Sequence, residues 1–313
     1  MKSFPQLPLW LVLLYVLCIL PGCDTKDVVY VNPAEKTAVK QGLRQEQAEV
    51  GLRLGIGSII TPTEGFIFYH QLVHYLEDKL DMPVTIIDRG NYREFNDLLA
   101  EGKLDVAFVC GGPYIEGREE FNLELLVVPE TLDGETVYYS DLIVPADSPA
   151  QNLADLHGKR FAFTDPASNS GKLVPTYLLA KMGELPAEFF GEIVFTYAHD
   201  KSIHAVMNKE VDGASVDSLI YDYLVDRDPE VKQKTRVIAQ SEPYGIPPVV
   251  VRPGIPEPLR LLLQTTLLQM DQDPQGHAIL EGMKIRRFVT SSDAAYDTIR
   301  QIRDFTHQQV DPR

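Results

Sequence analysis

Ser168-Asn169-Ser170-Gly171 sets two hydroxyls, a carboxamide and a glycine between an alternating apolar run, Phe161-Ala162-Phe163, and an apolar run with helical spacing. A strand that hands over to a helix here exposes unpaired backbone N–H groups and the positive end of the helix dipole. Gly171 removes side-chain obstruction, so an anion can come close to those N–H groups. Ser168, Asn169 and Ser170 add side-chain donors at the same rim. These residue types at this spacing suit the capture of a tetrahedral oxyanion without Arg or Lys. Capping of the helix by Ser168 or Ser170 is the simpler role, yet capping uses one such residue and the turn supplies three.

Two other constellations carry chemistry. Ser168, His199 and Asp217 are the residue types of a hydrolytic triad, but no Gly-x-Ser-x-Gly elbow accompanies them. A donor-rich helix start binds an anion without activating a nucleophile, so an enzyme is not expected. His70 and His74 stand four apart, the spacing of a shared metal ion. They lie opposite the apolar stripe Phe68, Leu72, Leu76 and Leu80, so they read as a solvated helix face, and neither a metal nor another cofactor is expected.

The elements that must position these residues alternate. Leu52 to Ile56 reads as a strand, a helix begins at Pro62-Thr63-Glu64, and strands at 83–87 and 105–109 flank a helix at 95–99. The stretch 137–145 is extended. Strands at 160–164, 192–196 and 211–216 then alternate with helices at 170–182, 201–208 and 218–225. Extended segments at 236–240 and 248–252 precede a helical C-terminal third. The alternation predicts an α/β fold with mixed, mostly parallel sheets and helices on both faces. Extended joins near 140–147 and 240–250 predict two lobes, residues 51–144 with the return 246–313, and residues 145–245. A ligand then sits outside the carboxyl ends of the strands, in the cleft between lobes. Tyr138 and Tyr139, beside the first crossing, read as core packing.

Met1-Lys2 precedes an apolar run from Leu7 to Leu20, closed by Leu20-Pro21-Gly22-Cys23. A charged start, an apolar core and a small residue before the break describe a secretory signal peptide over residues 1–22. The ending resembles the bacterial lipoprotein signal, in which cleavage leaves Cys23 as the lipidated first residue. Asp24 next to it then implies retention on the periplasmic side of the inner membrane. Residues 23–50 are polar and read as a tether. A formal net charge of −16 argues against nucleic acid as a partner. Of three cysteines, Cys18 leaves with the signal and Cys23 carries lipid, so Cys110 has no disulfide partner. Cys110 reads as a small packing residue, with a soft thiol ligand to trivalent arsenic as the alternative.

Asp165-Pro166-x-Ser168-x-Ser170-Gly171-x-x-x-Pro175 resembles the signature of the periplasmic phosphonate-binding proteins of ABC transporters. Leu153-x-Asp155-Leu156-x-Gly158-Lys159-Arg160, His199-Asp200, Val211-Asp212-Gly213-Ala214 and Gly102-x-x-Asp105-Val106-Ala107 fit the same family. The resemblance implies a two-lobed type II periplasmic-binding fold with two crossing strands. It also implies a monomer that closes over a phosphonate, phosphite or phosphate and hands it to a membrane permease. Its implied ligand contacts are the phenols of Tyr92 and Tyr114, the turn Ser168, Asn169, Ser170 and Gly171, a donor at His199, and Asp217. Asp217 would accept a proton from a singly protonated oxyanion or face a ligand amine. Asn169 stands where many members carry threonine. Binders of aminoalkyl ligands tend to carry an acid in an Ile-Pro-x-Asp-Pro-like run; Gly245-Ile246-Pro247-Pro248-Val249 has none, which implies a smaller ligand or one without an amine. The alternative role is an oxyanion sensor, for arsenite through Cys110, signalling to a membrane histidine kinase.

Overall fold

Leu52, Leu54 and Ile56 alternate along the first strand and point into one core, as a period of two requires, while Gly55 between them is covered by Phe95 and Leu104 on the other face. The computed structural model describes residues 51–57, 62–88 and 90–310. All lie in one compact unit, Val39–Arg313. The signal peptide, Cys23 and the tether lie outside the described residues. Among the described residues no helix is long and apolar enough to cross a membrane.

In chain order, β1 (Leu52–Ile56), α1 (Pro62–Leu80), β2 (Val84–Ile87), α2 (Tyr92–Ala100), β3 (Val106–Phe108), α3 (Gly111–Phe121) and β4 (Glu124–Thr131) build most of the first lobe. β5 (Val137–Tyr138) leads across to β6 (Ser140–Pro145). The second lobe continues through β7 (Arg160–Phe163), α4 (Val174–Lys181), β8 (Glu192–Phe195), α5 (His199–Met207), β9 (Gly213–Asp217), α6 (Ser218–Arg227) and β10 (Thr235–Gln240). β11 (Tyr244–Gly245) returns, and β12 (Val249–Val251), α7 (Glu257–Leu268), α8 (Pro274–Gly282), β13 (Ile285–Val289) and α9 (Asp297–Val310) complete the first lobe.

The first lobe holds a six-stranded sheet in the order β13-β4-β12-β3-β1-β2, the second a five-stranded sheet in the order β10-β6-β9-β7-β8. β1 runs parallel to β2 and β3, and β7 to β8 and β9; the remaining pairs in both sheets are antiparallel. The sheets are thus mixed rather than mostly parallel. Strands reached through a helical crossover run parallel, whereas β6 and β12 enter from the other lobe and run against their neighbours. β5 and β11 form a separate antiparallel pair, Tyr138 opposite Tyr244, at the crossing. The change of sheet falls at Tyr139, so β6 belongs to the second lobe's sheet and not, as expected, to the end of the first lobe.

Leu72, Leu76 and Leu80 of the expected α1 stripe are buried with β1 and with Leu259, Leu262 and Leu263 of α7. On the sheet's other face Phe95, Leu99, Tyr114, Tyr296 and Ile299 pack together. The second sheet is covered in the same way by Ile203, Val206 and Leu224 on one side and, on the other, by Leu179 and Phe190 packed on Phe161 and Phe163 of β7. Three elements lie outside the periodicity reading. Pro129 interrupts the apolar run of β4. Gly111-Gly112-Pro113 reads as a turn but opens α3. β13 carries Arg286 and Arg287 among its five residues.

The centre of the first sheet is held by one acid. Asp105 Oδ2 accepts from Arg53 N (3.0 Å) and Arg53 Nε (2.8 Å), while Oδ1 accepts from Arg53 Nη2 (2.7 Å) and Arg252 Nε (2.9 Å). Burial alone would raise this carboxyl's pKa, but the bonds from Arg53 and Arg252 outweigh it and hold the group below its ordinary value. Its stabilising effect is therefore present above the unfolded pKa and is lost as pH falls through the depressed folded value. Asp105→Ala should cost about 2–3 kcal/mol in urea unfolding at pH 7, somewhat less than a fully buried pair because both arginines are partly solvated. Asp105→Asn should flatten the stability loss below about pH 4; an acid limb identical to wild type would count against this role.

Candidate functional site

β7 ends at Phe163, and Pro166 just beyond offers no donor to continue a ladder. Ser168 Oγ then accepts from Gly171 N at 3.0 Å and caps the next helix. The turn that follows, Asn169–Leu173, is wide. Leu173 N donates to Ser168 O at 3.0 Å and Val174 N to Asn169 O, each reaching back five residues. Pro175 has no N–H, so the carbonyl of Ser170 receives no donor from the helix. The hydroxyls of Ser140 on β6 (2.7 Å) and Ser215 on β9 (2.8 Å) serve it instead.

Gly171 is needed for a different reason from the one expected. A Cβ there would stand 2.4 Å from Thr164 Oγ1 and 2.5 Å from Thr164 Cβ. Its N–H is taken by Ser168, and its carbonyl accepts from Thr164 N at 3.1 Å. Glycine thus lets the turn pack on the end of β7, and the capping role of Ser168 is real.

His199 opens α5, and its Nδ1 accepts from Asp217 N at 3.0 Å and lies 3.2 Å from Thr164 Oγ1. That acceptor role puts the ring hydrogen on Nε2, which is buried with no protein partner. Burial pushes the imidazole down to about 3, so His199 is a neutral donor. Ser170 Oγ and Tyr92 Oη are likewise buried without a partner. Tyr92 begins α2, and its N–H donates to Asp165 Oδ2 of the other lobe at 3.1 Å. Asn169 Nδ2 donates to Tyr138 Oη at 2.9 Å, which leaves Asn169 Oδ1 buried and unpartnered.

Asp217 caps α6, its Oδ1 accepting from Leu219 N at 2.8 Å, and burial pushes its carboxyl up to about 7. Cys110 Sγ lies 3.9 Å from Tyr138 Oη, and burial pushes the thiol up, so it stays protonated. Burial also raises the phenols of Tyr92 and Tyr138, and Cys110 and Asp217 lie near enough to add to both shifts. Shared neighbours therefore gather Tyr92, Tyr138, Cys110, Asn169, Ser170, His199 and Asp217 into one cluster between the lobes. Buried polar atoms without partners are rare in folded proteins, and this cluster holds four.

Other expected residues are used elsewhere. Tyr114 Oη donates to Asp293 Oδ1 at 2.8 Å and its ring packs on Tyr296 with centroids 4.6 Å apart. Because α3 begins at Gly111, Tyr114 is a helical residue turned toward the C-terminal elements rather than a loop residue facing the cleft. No relay links Ser168, His199 and Asp217, since His199 meets the backbone of Asp217 and Ser168 Oγ caps a helix. His74 faces solvent, its Nδ1 3.1 Å from Glu77 Oε2. Tyr138 packs in the core but also contacts the cluster, which sequence reasoning missed; so are Thr164, Ser140 and Ser215, whose only signal is a hydroxyl beside or within an otherwise apolar strand.

Past Asp217 the cleft opens into a cavity of about 560 Å³ whose walls include Tyr69, Phe108, Tyr139, Asp222 and Pro247. Gly245–Val249 has no carboxylate, yet Asp217 and Asp222 line this space. A cationic substituent would find acids at the end of β9 and on α6, so the missing acid does not by itself exclude an amine. The rim is bridged by Lys284 Nζ and Asp226 Oδ2 at 2.9 Å and by the Arg227 guanidinium 5.8 Å from the Phe68 ring centroid. At the opposite seam a Cβ on Gly112 would lie 2.1 Å from Ala167 O, so the lobes meet there backbone to backbone.

Gly171→Ala should lower stability by about 1–3 kcal/mol, the usual cost of forcing extra volume into a packed site. Urea denaturation of the free protein measures it, and an unchanged midpoint would mean the turn can shift off Thr164.

Compared with known proteins, residues 55–296 match the family described as ABC transporter, phosphonate, periplasmic substrate-binding protein. The phosphonates-binding periplasmic protein of Escherichia coli K12 is 29% identical over 268 residues, covering 84% of this chain and 79% of its own length. Among solved structures, a binding protein component of an ABC phosphonate transporter from Pseudomonas aeruginosa is similar at TM-score 0.78 and 22% identity, covering 83% of this chain and 87% of that one. A Prochlorococcus marinus protein in complex with methylphosphonate is similar at TM-score 0.72 and 19% identity, covering 80% and 96%. Both share the two-lobed type II periplasmic-binding fold. The family and these relatives are described as binding or transport proteins, which lends the histidine-kinase sensor reading no support. With the match spanning most of its length, the chain belongs to the family of periplasmic phosphonate-binding components of ABC transporters.

Proposed function

We propose that the protein captures one phosphorus oxyanion, a phosphonate, phosphite or phosphate, in the periplasm and passes it unchanged to an ABC permease. The observation that carries this reading is the set of three buried donors without protein partners, Tyr92 Oη, Ser170 Oγ and His199 Nε2, drawn from both lobes. Hydrogen bonds to an ionised acceptor are about twice as strong as neutral ones, and more so away from water. Neutral donors can therefore hold an anion in an acidic protein. Asn169 and Asp217 complete the contact set, Ser168 supports it as a cap, and Cys110 packs beside it as a neutral thiol. The lack of a relay among Ser168, His199 and Asp217 favours holding the ligand over hydrolysing it. The similar Escherichia coli protein is named for phosphonates and the Prochlorococcus protein was solved with methylphosphonate, which supports the ligand class. The two lobes would part and close about β5 and β11. Lipid on Cys23 would hold a monomer, on its polar tether, to the periplasmic face of the inner membrane.

Ser170→Ala tests the site. Its Oγ has no well-formed partner in the protein, with only the Tyr138 phenol close by, so most of the loss should fall on the ligand. Methylphosphonate, phosphite or phosphate should bind roughly 10- to 100-fold more weakly, from about 1.5–3 kcal/mol per bond to a charged group. The melting temperature of the free protein should hardly move. Calorimetric affinities equal to wild type for all three anions would remove Ser170 from the site. Separately, Cys23→Ser should move the protein from the membrane to the soluble periplasmic fraction; continued membrane attachment would sink the lipid-anchor reading.

A further inference from the structure

We propose that the site selects a ligand that carries a proton, a singly ionised phosphorus oxyanion with one P–OH group, and that Asn169 is the residue that reads that proton. This rests on the oxyanion reading above. His199 Nε2 can only donate, because Nδ1 accepts from the backbone of Asp217. The hydroxyls of Tyr92 and Ser170 have no protein partner and can donate. Asn169 is different. One of its two Nδ2 hydrogens goes to Tyr138 Oη at 2.9 Å, and that bond sets the plane of the carboxamide; Oδ1, which can only accept, is the side-chain atom left buried without a partner. A bare anionic oxygen placed against Oδ1 would set lone pair against lone pair where no water screens them. A P–OH there satisfies both sides. A threonine hydroxyl at this position could turn to donate or accept; the carboxamide presents Oδ1 for as long as Nδ2 stays on Tyr138.

Phosphate and phosphonates change between singly and doubly ionised forms near neutral pH, so the protonated form is on offer. Sulfonates have the same tetrahedral shape and carry no proton. The charged and titratable groups around Asn169 are Cys110 before α3, Tyr92 of α2, Tyr138 of β5, Asp165 after β7, His199 of α5 and Asp217 of β9. Asp165 already accepts from Tyr92 N and Ala167 N. Asp217, its carboxyl pushed up to about 7 by burial, can donate its own proton below that pH and becomes a second acceptor above it, where its ionisation adds negative charge beside the ligand. Loss of the ligand's proton and ionisation of Asp217 therefore weaken binding in the same direction.

Calorimetry with methylphosphonate and methanesulfonate tests the proposal. In the wild type, methanesulfonate should bind at least roughly 10-fold more weakly at pH 6, the cost of an unmatched buried acceptor. Methylphosphonate should weaken as pH rises from 6 to 8.5, and Asp217→Asn should keep that trend because the ligand's own proton drives it. Asn169→Thr should narrow the gap between the two anions several-fold while the fold, checked by thermal melting, persists. Equal affinities in the wild type, or tighter methylphosphonate binding at high pH, would overturn the proposal and place Nδ2 toward the ligand. A gap left intact by Asn169→Thr would overturn the role of Asn169. Binding of neither methylphosphonate, phosphite nor phosphate at any pH would instead sink the oxyanion reading itself.

Discussion

The carbonyl oxygen of Ser170 is the atom on which the second lobe's geometry turns. A buried carbonyl must find donors, and the wide turn with Pro175 behind it supplies none. Ser140 and Ser215 do, one from each of two adjacent strands, so the turn is bound to the middle of β9 and the first residue of β6. With its carbonyl drawn into the sheet, Ser170 is left with a side chain that has no well-formed partner in the protein. The same logic runs outward. The backbone N–H of Asp217 holds the ring of His199, Thr164 sits against both that ring and Gly171, and each contact removes a freedom the next would otherwise have. The donors of the cluster are directed because the acceptors around them are spoken for.

Much of this is legible in the chain before it folds. A strand followed by Asp165-Pro166 and a run of small polar residues announces a helix start rich in donors, and Leu72, Leu76 and Leu80 announce a packed stripe. Local pattern goes no further where a residue's role depends on a partner distant in sequence. Tyr114 looks like a cleft residue until Asp293, 179 positions away, takes its hydroxyl. Tyr138 looks like core until Asn169 crosses from the other lobe to meet it. Gly171 looks like an open approach, and the reason it cannot be larger is Thr164. Pro129 in β4 and Gly111-Gly112-Pro113 in α3 carry the signals of turns, and tertiary packing overrides them.

Paired charges and neutral contacts occupy different places, and Arg160 with Asp212 repeats in the second lobe the pairing seen in the first. Within the first lobe, charge is paired around Asp105, with Arg53 and Arg252 drawn in from separate strands. Across the buried polar cluster between the lobes the contacts are mainly neutral, phenol to carboxamide and backbone N–H to a single acid. A chain with a formal net charge of −16 repels an approaching anion at long range. That repulsion fades over about 8 Å at physiological salt, whereas hydrogen bonds act at contact. Affinity in such a site rests on short-range fit, and raised salt eases the approach of the anion.

The rim opposite the crossing strands does little to hold a visitor in. Lys284 and Asp226 bridge the lobes there, but both are about half exposed. An exposed ion pair of this kind contributes about 1 kcal/mol or less, which slows opening by no more than about fivefold. Arg227 over the Phe68 ring adds a contact of similar weakness. The clasp is loose by construction. Residence time in the cleft is then governed by the grip on the anion itself, and a membrane partner that pries the rim apart has little to overcome before the cargo is free to leave.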